Sequence, residues 1–270
     1  MKITFLGGGN MANALIGGML KRGFAAADIT VVDPGQEARE RLQQAYGVRC
    51  LDSATALDEA GELLVLAVKP QQMRDACAPL VGKLGTALVV SIAAGLDLAT
   101  LSRFLGGHLR IVRCMPNTPA LIGAGITGLC ALQEVDAAGR AAADRVLAAV
   151  GSTVWIDDEA RMDGVTALSG SGPAYVFLFI EALQQAAADL GFTPEQGRQL
   201  AIETVQGAAA LAAQSSEPAA VLRERVTSKG GTTEAALRAM SEAGVKDGIV
   251  AGVKAAEARG RELGKLLGAG

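Results

Sequence analysis

The opening stretch, MKITFLGGGNMANALIGGMLKRG, constrains the fold more than any other part of the chain. A β-rich run, ITFL (3–6), passes through Gly7-Gly8-Gly9-Asn10-Met11-Ala12 into a helix-like segment, MANALIGGMLKR (11–22). The spacing is GxGxxA. Gly7 permits a tight turn, Gly9 lets backbone come close to a pyrophosphate, and Ala12 lets the helix pack on the strand. The helix N-terminus then offers free N–H groups and a partial positive charge to phosphate. The alternative is a glycine-rich turn without a ligand. The order strand, turn, helix at the head of a βαβ pattern favours the dinucleotide turn.

That pattern continues. Short β-rich runs occur at ITVV (29–32), LLVLAV (63–68), ALVVSI (87–92) and RIV (110–112), with helix-like segments such as QEARERLQQAY (36–46) between several of them. Lys21 and Arg22 suit a helix C-terminus, and Gly23 suits the residue after it. Alternation of this kind predicts a doubly wound, mostly parallel sheet, an α/β Rossmann domain, over residues 1–160. From Asp163 onward helix signals dominate, so residues 161–270 read as an all-α domain. Thr193-Pro194-Glu195-Gln196 has the form of a capping box with Pro at N1. The segment AYVFLFIEALQQAAADL (174–190) is apolar around much of its circumference, which asks for burial on several sides. A second subunit provides that burial most easily, so a homo-oligomer built through the C-terminal half is expected.

The 270 residues are half hydrophobic and carry a net charge of −3, with a pI near 5.4. Such a balance disfavours nucleic acid and anionic membranes as partners. Mean hydropathy is +0.30. The long uncharged runs at 114–133 and 164–180 are interrupted by Pro116, Pro119, Gly123, Gly125 and Gly128, and by Ser-Gly-Ser-Gly-Pro. Neither is the unbroken apolar stretch of about 20 residues that a spanning helix needs. The first ten residues lack a signal-peptide pattern, and a cytoplasmic protein is expected. Cys50, Cys77, Cys114 and Cys130 show no CxxC spacing, and His108 is the one histidine, in a loop-like stretch that reads as surface. Free thiols are expected, and no metal site.

Several further residues fall where ligands bind in such sheets, beyond the carboxyl ends of strands. Asp33 follows the second strand, 26 residues after Gly7. It can accept from ribose hydroxyls and repel a 2′-phosphate, or simply start a turn with Pro34 and Gly35. Both readings stand at this point, with Arg39 and Arg41 nearby. Lys69, Pro70 and Ala94 end two further strands, and Asn117 lies in a stiff Pro-Asn-Thr-Pro loop; Lys69 reads equally as a solvated charge. In the C-terminal half, VTSKGGTT (226–233) precedes EAALRAM (234–240). Gly230 and Gly231 permit unusual backbone geometry, and the amides of Thr232 and Thr233 can converge on an anion at a helix start. Hydroxyls of Ser228, Thr232 and Thr233 add neutral donors. A small carboxylate fits; a plain N-cap would need one hydroxyl only.

VTSKGGTTEAALRAM closely resembles the C-terminal signature of pyrroline-5-carboxylate reductases. FLGGGNMA (5–12), AVKPQ (67–71), VVSIAAG (89–95), RCMPNTPALIGAG (113–125) and LSGSGPAYVFLFIEAL (168–183) are similar to the same family in the same order. The resemblance implies a Rossmann domain and a helical dimerisation domain, often a decamer of five dimers. It implies reduction of L-1-pyrroline-5-carboxylate to L-proline with NADPH or NADH. Coenzyme contacts are implied at Leu6, Gly7, Gly8, Gly9, Asn10 and Met11. Asp33, Ala67, Val68, Lys69 and Pro70, with Ala94 and Asn117, complete that set. Substrate carboxylate contacts are implied at Ser228 and the Gly230–Thr233 turn, with the Thr233 hydroxyl at the ring nitrogen. Glu159 matches a substrate-side position, or is an exposed acid in a polar turn. Many members carry Pro where Lys229 stands. A β-hydroxyacid dehydrogenase would place a lysine on the long interdomain helix, and residues 164–190 contain none. A nucleotide sensor without turnover would have no use for the carboxylate turn.

Overall fold

In the computed structural model, which describes residues 1–268, the β-rich runs assemble into one eight-stranded sheet. The strands are β1 (Ile3–Leu6), β2 (Ile29–Val32), β3 (Arg49–Leu51), β4 (Leu63–Leu66), β5 (Leu88–Ser91), β6 (Ile111–Met115), β7 (Gly125–Ala131) and β8 (Gly151–Trp155). Their order is β3-β2-β1-β4-β5-β6-β7-β8. The first six pair in parallel; β7 runs antiparallel to β6, and β8 parallel to β7. The order reverses at β1, whose neighbours are β2 and β4. That is the switch point where open sheets of this kind form their crevice.

The central strands are buried on both faces, as a parallel sheet covered by helices requires. Side chains alternate between two core clusters. Ile3, Phe5, Leu63 and Val65 join one, with Ala12, Leu15, Ile16 and Met19 of α1 (Asn10–Lys21), Leu42 of α2 (Gln36–Tyr46), and residues discussed below. Leu6, Leu64 and Leu66 join the other, with Met73 and Cys77 of α3 (Met73–Cys77) and Leu98 and Leu101 of α4 (Leu98–Phe104). Ala143, Val146 and Leu147 of α5 (Ala137–Leu147) return to the first cluster.

The five strands expected from sequence form β1, β2, β4, β5 and β6, and β3, β7 and β8 join them without a clear local signal. β7 was hidden by its glycines, which look like breakers. They are there because neighbours come close: a Cβ on Gly128 would lie 2.6 Å from Val165 Cγ1, and one on Gly125 would lie 2.9 Å from Ala120 Cα. His108 is not simply on the surface. It is half-buried, and its Nε2 donates to the Ala87 carbonyl at 2.9 Å.

After β8 the described chain is helical. α6 (Met162–Val165) leads through a π-helical turn, Thr166–Gly170, into α7 (Gly172–Asp189). The Ser-Gly-Ser-Gly-Pro segment therefore does not interrupt the helical run, contrary to expectation. Pro173 sits in the first turn of α7, where its missing N–H costs nothing, and the wide turn absorbs the residues before it. The run Glu159–Asp189 contains an 18-residue window of mean hydropathy 1.2, which passes the length and composition test for crossing a membrane, a test that the core helices of soluble proteins also pass.

By contacts the chain divides into two units. The first holds Met1–Ser171 and the chain from Ala255 onward; the second holds Gly172–Lys254. The sequence division at 160/161 falls before this one, and the C-terminal segment returns to the first unit. In the second unit, α7 packs with α8 (Pro194–Gln214), followed by α9 (Ala219–Arg225) and α10 (Thr232–Glu242). The last helix, α11 (Val245–Gly268), begins in the second unit and ends in the first. The capping box at Thr193 is formed in full: its hydroxyl accepts from Gln196 N, and its N–H donates to Gln196 Oε1 at 3.0 Å. α7 has no buried residue; Phe177, Leu178 and Phe179 are 64%, 66% and 48% exposed.

Candidate active site

The glycine turn sits at the carboxyl end of β1, at the switch point. Gly7 adopts φ +105, the left-handed region that side chains avoid. A Cβ there would also lie 2.7 Å from the carbonyl carbon and oxygen of Ala67, so the turn rests directly on the end of β4. The Ala67 N–H donates to the Leu6 carbonyl at 2.8 Å. Leu6–Met11, Ala67 and Val68 are thereby brought together. Gly9 faces open space, with nothing within 4 Å of a Cβ built on it. It is the N-cap of α1, which has no side-chain cap and no acid in its first turn. Unpaired amides at an acid-free helix start fit a pyrophosphate.

Asp33 is half-buried at the end of β2. Its Oδ2 accepts from Gly8 N at 2.7 Å and its Oδ1 from Gly35 N at 2.8 Å. The turn-forming reading of Asp33 is thus realised, and one carboxylate joins the β2 turn to the glycine turn. Arg39 Nη1 donates to the Asp33 carbonyl at 2.7 Å, and Arg41 Nη2 to the Gly8 carbonyl at 2.9 Å. Neither arginine was assigned a contact from sequence. Their reach depends on α2 lying beside the turn, which no local pattern specifies.

Lys69 is exposed and Pro70 half-buried where the chain leaves β4, and Ala94 is exposed beyond β5. Asn117 is buried, and its amide works as scaffold. Its Nδ2 donates to the Ser169 carbonyl at 3.1 Å and its Oδ1 accepts from Ile126 N at 3.0 Å. Glu159 is not an exposed acid. Its Oε1 accepts from Leu98 N at 2.8 Å and pairs with Arg113 Nη1 at 3.0 Å, while Arg113 Nη2 lies 3.5 Å from Asp163. Arg113, with 8% of its side chain exposed, is a nearly buried guanidinium shared by two carboxylates. No local motif marks it. The thiols lie in the first unit and are free. Burial pushes Cys77 up to about 12 and raises Cys114 well above its ordinary range.

The second glycine turn belongs to the second unit. Gly230 has φ +72, and Gly231 is the N-cap of α10, again with no side-chain cap. Gly231 N donates to the Ser228 carbonyl at 3.0 Å, and Gly230 N to Glu234 Oε2 at 2.7 Å. Thr227 is occupied, donating to the Arg223 carbonyl at 2.6 Å. The plain N-cap alternative fails here, because none of the hydroxyls of Ser228, Thr232 or Thr233 caps the helix. They stand at its amino end, beside backbone donors that favour an anion.

A glycine turn at the switch point of a parallel sheet, opening into an uncapped helix, defines a dinucleotide-binding protein of the Rossmann class. Residues 2–95 match the family described as NADP oxidoreductase, coenzyme F420-dependent, and residues 159–263 match pyrroline-5-carboxylate reductase dimerisation. A pyrroline-5-carboxylate reductase of Pseudomonas aeruginosa is 43% identical over 268 residues, 99% of this chain and 98% of that one. One from Vibrio alginolyticus is 41% identical over 269 residues, 98% of each. Among solved structures, a pyrroline-5-carboxylate reductase from Coxiella burnetii superposes with a TM-score of 0.92 at 38% identity, over 97% of this chain and 98% of its own. The Plasmodium falciparum enzyme with NADP bound gives 0.87 at 28%, over 98% of each chain. The chain belongs to the pyrroline-5-carboxylate reductase family. The matched dimerisation region contains the exposed apolar face of α7.

Proposed function

We propose that this protein reduces L-1-pyrroline-5-carboxylate to L-proline with NADPH or NADH, the last step of proline biosynthesis. One observation carries the reading furthest: the start of α10, where the hydroxyls of Ser228, Thr232 and Thr233 stand beside the Thr232 and Thr233 amides, while Glu234 of the first turn is drawn back onto Gly230 N. A nucleotide-binding protein without a carboxylate substrate has no use for that arrangement.

The coenzyme supplies the hydride when bound to the first glycine turn. The protein's own groups hold the other reactant. The Thr232 and Thr233 amides and the Ser228 hydroxyl receive the substrate carboxylate, and the Thr233 hydroxyl orients the ring nitrogen. Lys229 places a cation beside that carboxylate. A protonated C=N bond is already an electrophile, so placement is the main demand on the protein. In favourable intramolecular cases it supplies roughly 7–11 kcal/mol of the barrier. Residues 1–160 serve the coenzyme and 161–270 the substrate and subunit contacts. The exposed face of α7 supports a homodimer through the C-terminal helices; the family resemblance adds further assembly into a decamer and a cytoplasmic location.

The test is incubation with pyrroline-5-carboxylate and NADPH or NADH, followed at the nicotinamide absorbance. Turnover is expected with both coenzymes. Inactivity with both, alongside turnover of a β-hydroxyacid with the oxidised coenzyme, would overturn the assignment.

A further inference from the structure

We propose that Arg41 is a positioning residue for the coenzyme turn: with Asp33 it fixes two successive peptide planes so that the Gly9 N–H faces the crevice. This rests on the coenzyme-binding part of the function proposed above.

The geometry is specific. Asp33 Oδ2 takes the Gly8 N–H at 2.7 Å, which belongs to the peptide joining Gly7 and Gly8. Arg41 Nη2 donates to the Gly8 carbonyl at 2.9 Å, which belongs to the peptide joining Gly8 and Gly9. A trans peptide is planar, with its C=O and N–H pointing in opposite directions. Drawing the Gly8 oxygen toward α2 therefore turns the Gly9 N–H away from α2. A Cβ built on Gly9 meets nothing within 4 Å, so no packed side chain walls the residue in. Glycine itself imposes little preference on this orientation, because it populates more of φ/ψ space than any other residue. The floor beneath the turn is rigid: a Cβ on Gly8 would meet Leu42 Cδ1 at 2.9 Å, and Leu42 is fully buried. Arg41 and Leu42 are consecutive on α2, so one helix supplies both the support and the clamp. The arginine is exposed, and its loss removes no core packing.

A positioning role and a direct 2′-phosphate contact predict different results. The clamp acts on the pyrophosphate turn common to both coenzymes, whereas a phosphate contact serves NADPH only. The experiment is fluorescence titration of the full-length protein, wild type, Arg41→Ala and Arg41→Lys, with NADH and with NADPH, alongside thermal melts. For Arg41→Ala the Kd of both coenzymes is expected to rise by the same factor, roughly five- to tenfold, because water screens an exposed guanidinium and leaves only part of the worth of a charge-assisted bond. Arg41→Lys, which keeps a donor, recovers at least half of the loss, and the melting temperature of free protein stays near that of wild type. A rise confined to NADPH, no rise at all, or no recovery with lysine would overturn the proposal. Wild-type protein that binds both coenzymes but does not reduce pyrroline-5-carboxylate would defeat the functional reading and leave this one standing.

Discussion

Gly7–Met11 and Lys229–Thr233 are the same device built twice. Each is a glycine turn with one positive φ, opening into a helix without a side-chain cap. They differ in what holds them. The first is held by residues far away in sequence: Ala67 against Gly7, Asp33 and Arg41 on Gly8, Leu42 beneath it. The second is held by near neighbours: Ser228 for Gly231, Glu234 for Gly230, Arg223 for Thr227. One turn is preorganised by the tertiary structure of a sheet, the other by its own local sequence. Substitutions of the packed glycines of the first should therefore cost both stability and ligand affinity, and substitutions at the second ligand affinity or turnover alone.

The largest effect is expected for Gly7→Ala. A forced left-handed residue costs roughly 1–3 kcal/mol, and the added Cβ also collides with the Ala67 carbonyl. Coenzyme affinity falls by about a hundredfold or more, and the melting temperature drops with it; titration and a thermal melt check both. Thr233→Ala comes next. Loss of a hydrogen bond to a charged group, worth roughly 1.5–3 kcal/mol, lowers kcat roughly ten- to a hundredfold. No cap is lost, so the melting temperature is unchanged. Wild-type turnover in that variant would remove Thr233 from the mechanism. Gly231→Ala is smaller. Its Cβ would displace the Ser228 hydroxyl, which lies 2.5 Å from the built position. The KM for pyrroline-5-carboxylate rises about three- to tenfold while coenzyme Kd holds, since weakening one neutral hydrogen bond costs roughly 1 kcal/mol. A fall in stability as large as that of Gly7→Ala would erase the contrast between the turns.

The smallest effect is read through the thiols. All four cysteines lie in the first unit. Cys77, pushed up to about 12 by burial, carries almost no thiolate at pH 8 and should resist a thiol reagent in native protein. Gly7→Ala should speed its labelling and Gly231→Ala should not. Equal acceleration in the two variants would mean that both turns support the same core.

Much of this was legible in the sequence. β1, β2 and α2 are read to the residue, because clean hydrophobic periodicity ends there at turn residues. The capping box at Thr193 is equally local. β7 was not legible, because Gly125 and Gly128 answer to Ala120 and Val165, neighbours that only the packed sheet provides. Glu159 carries no local sign that Arg113 and the Leu98 amide will claim it.

The sequence by itself determined both glycine turns, the helices they open and the alternation that builds the sheet, since propensity, turn chemistry and periodicity act over a few residues. Only the tertiary structure decided which way the first turn's donors face. Asp33, Arg41 and Ala67 reach Gly7 and Gly8 across 25 to 60 positions of chain, a separation at which a hydrogen bond or contact is specified by packing and not by sequence neighbourhood.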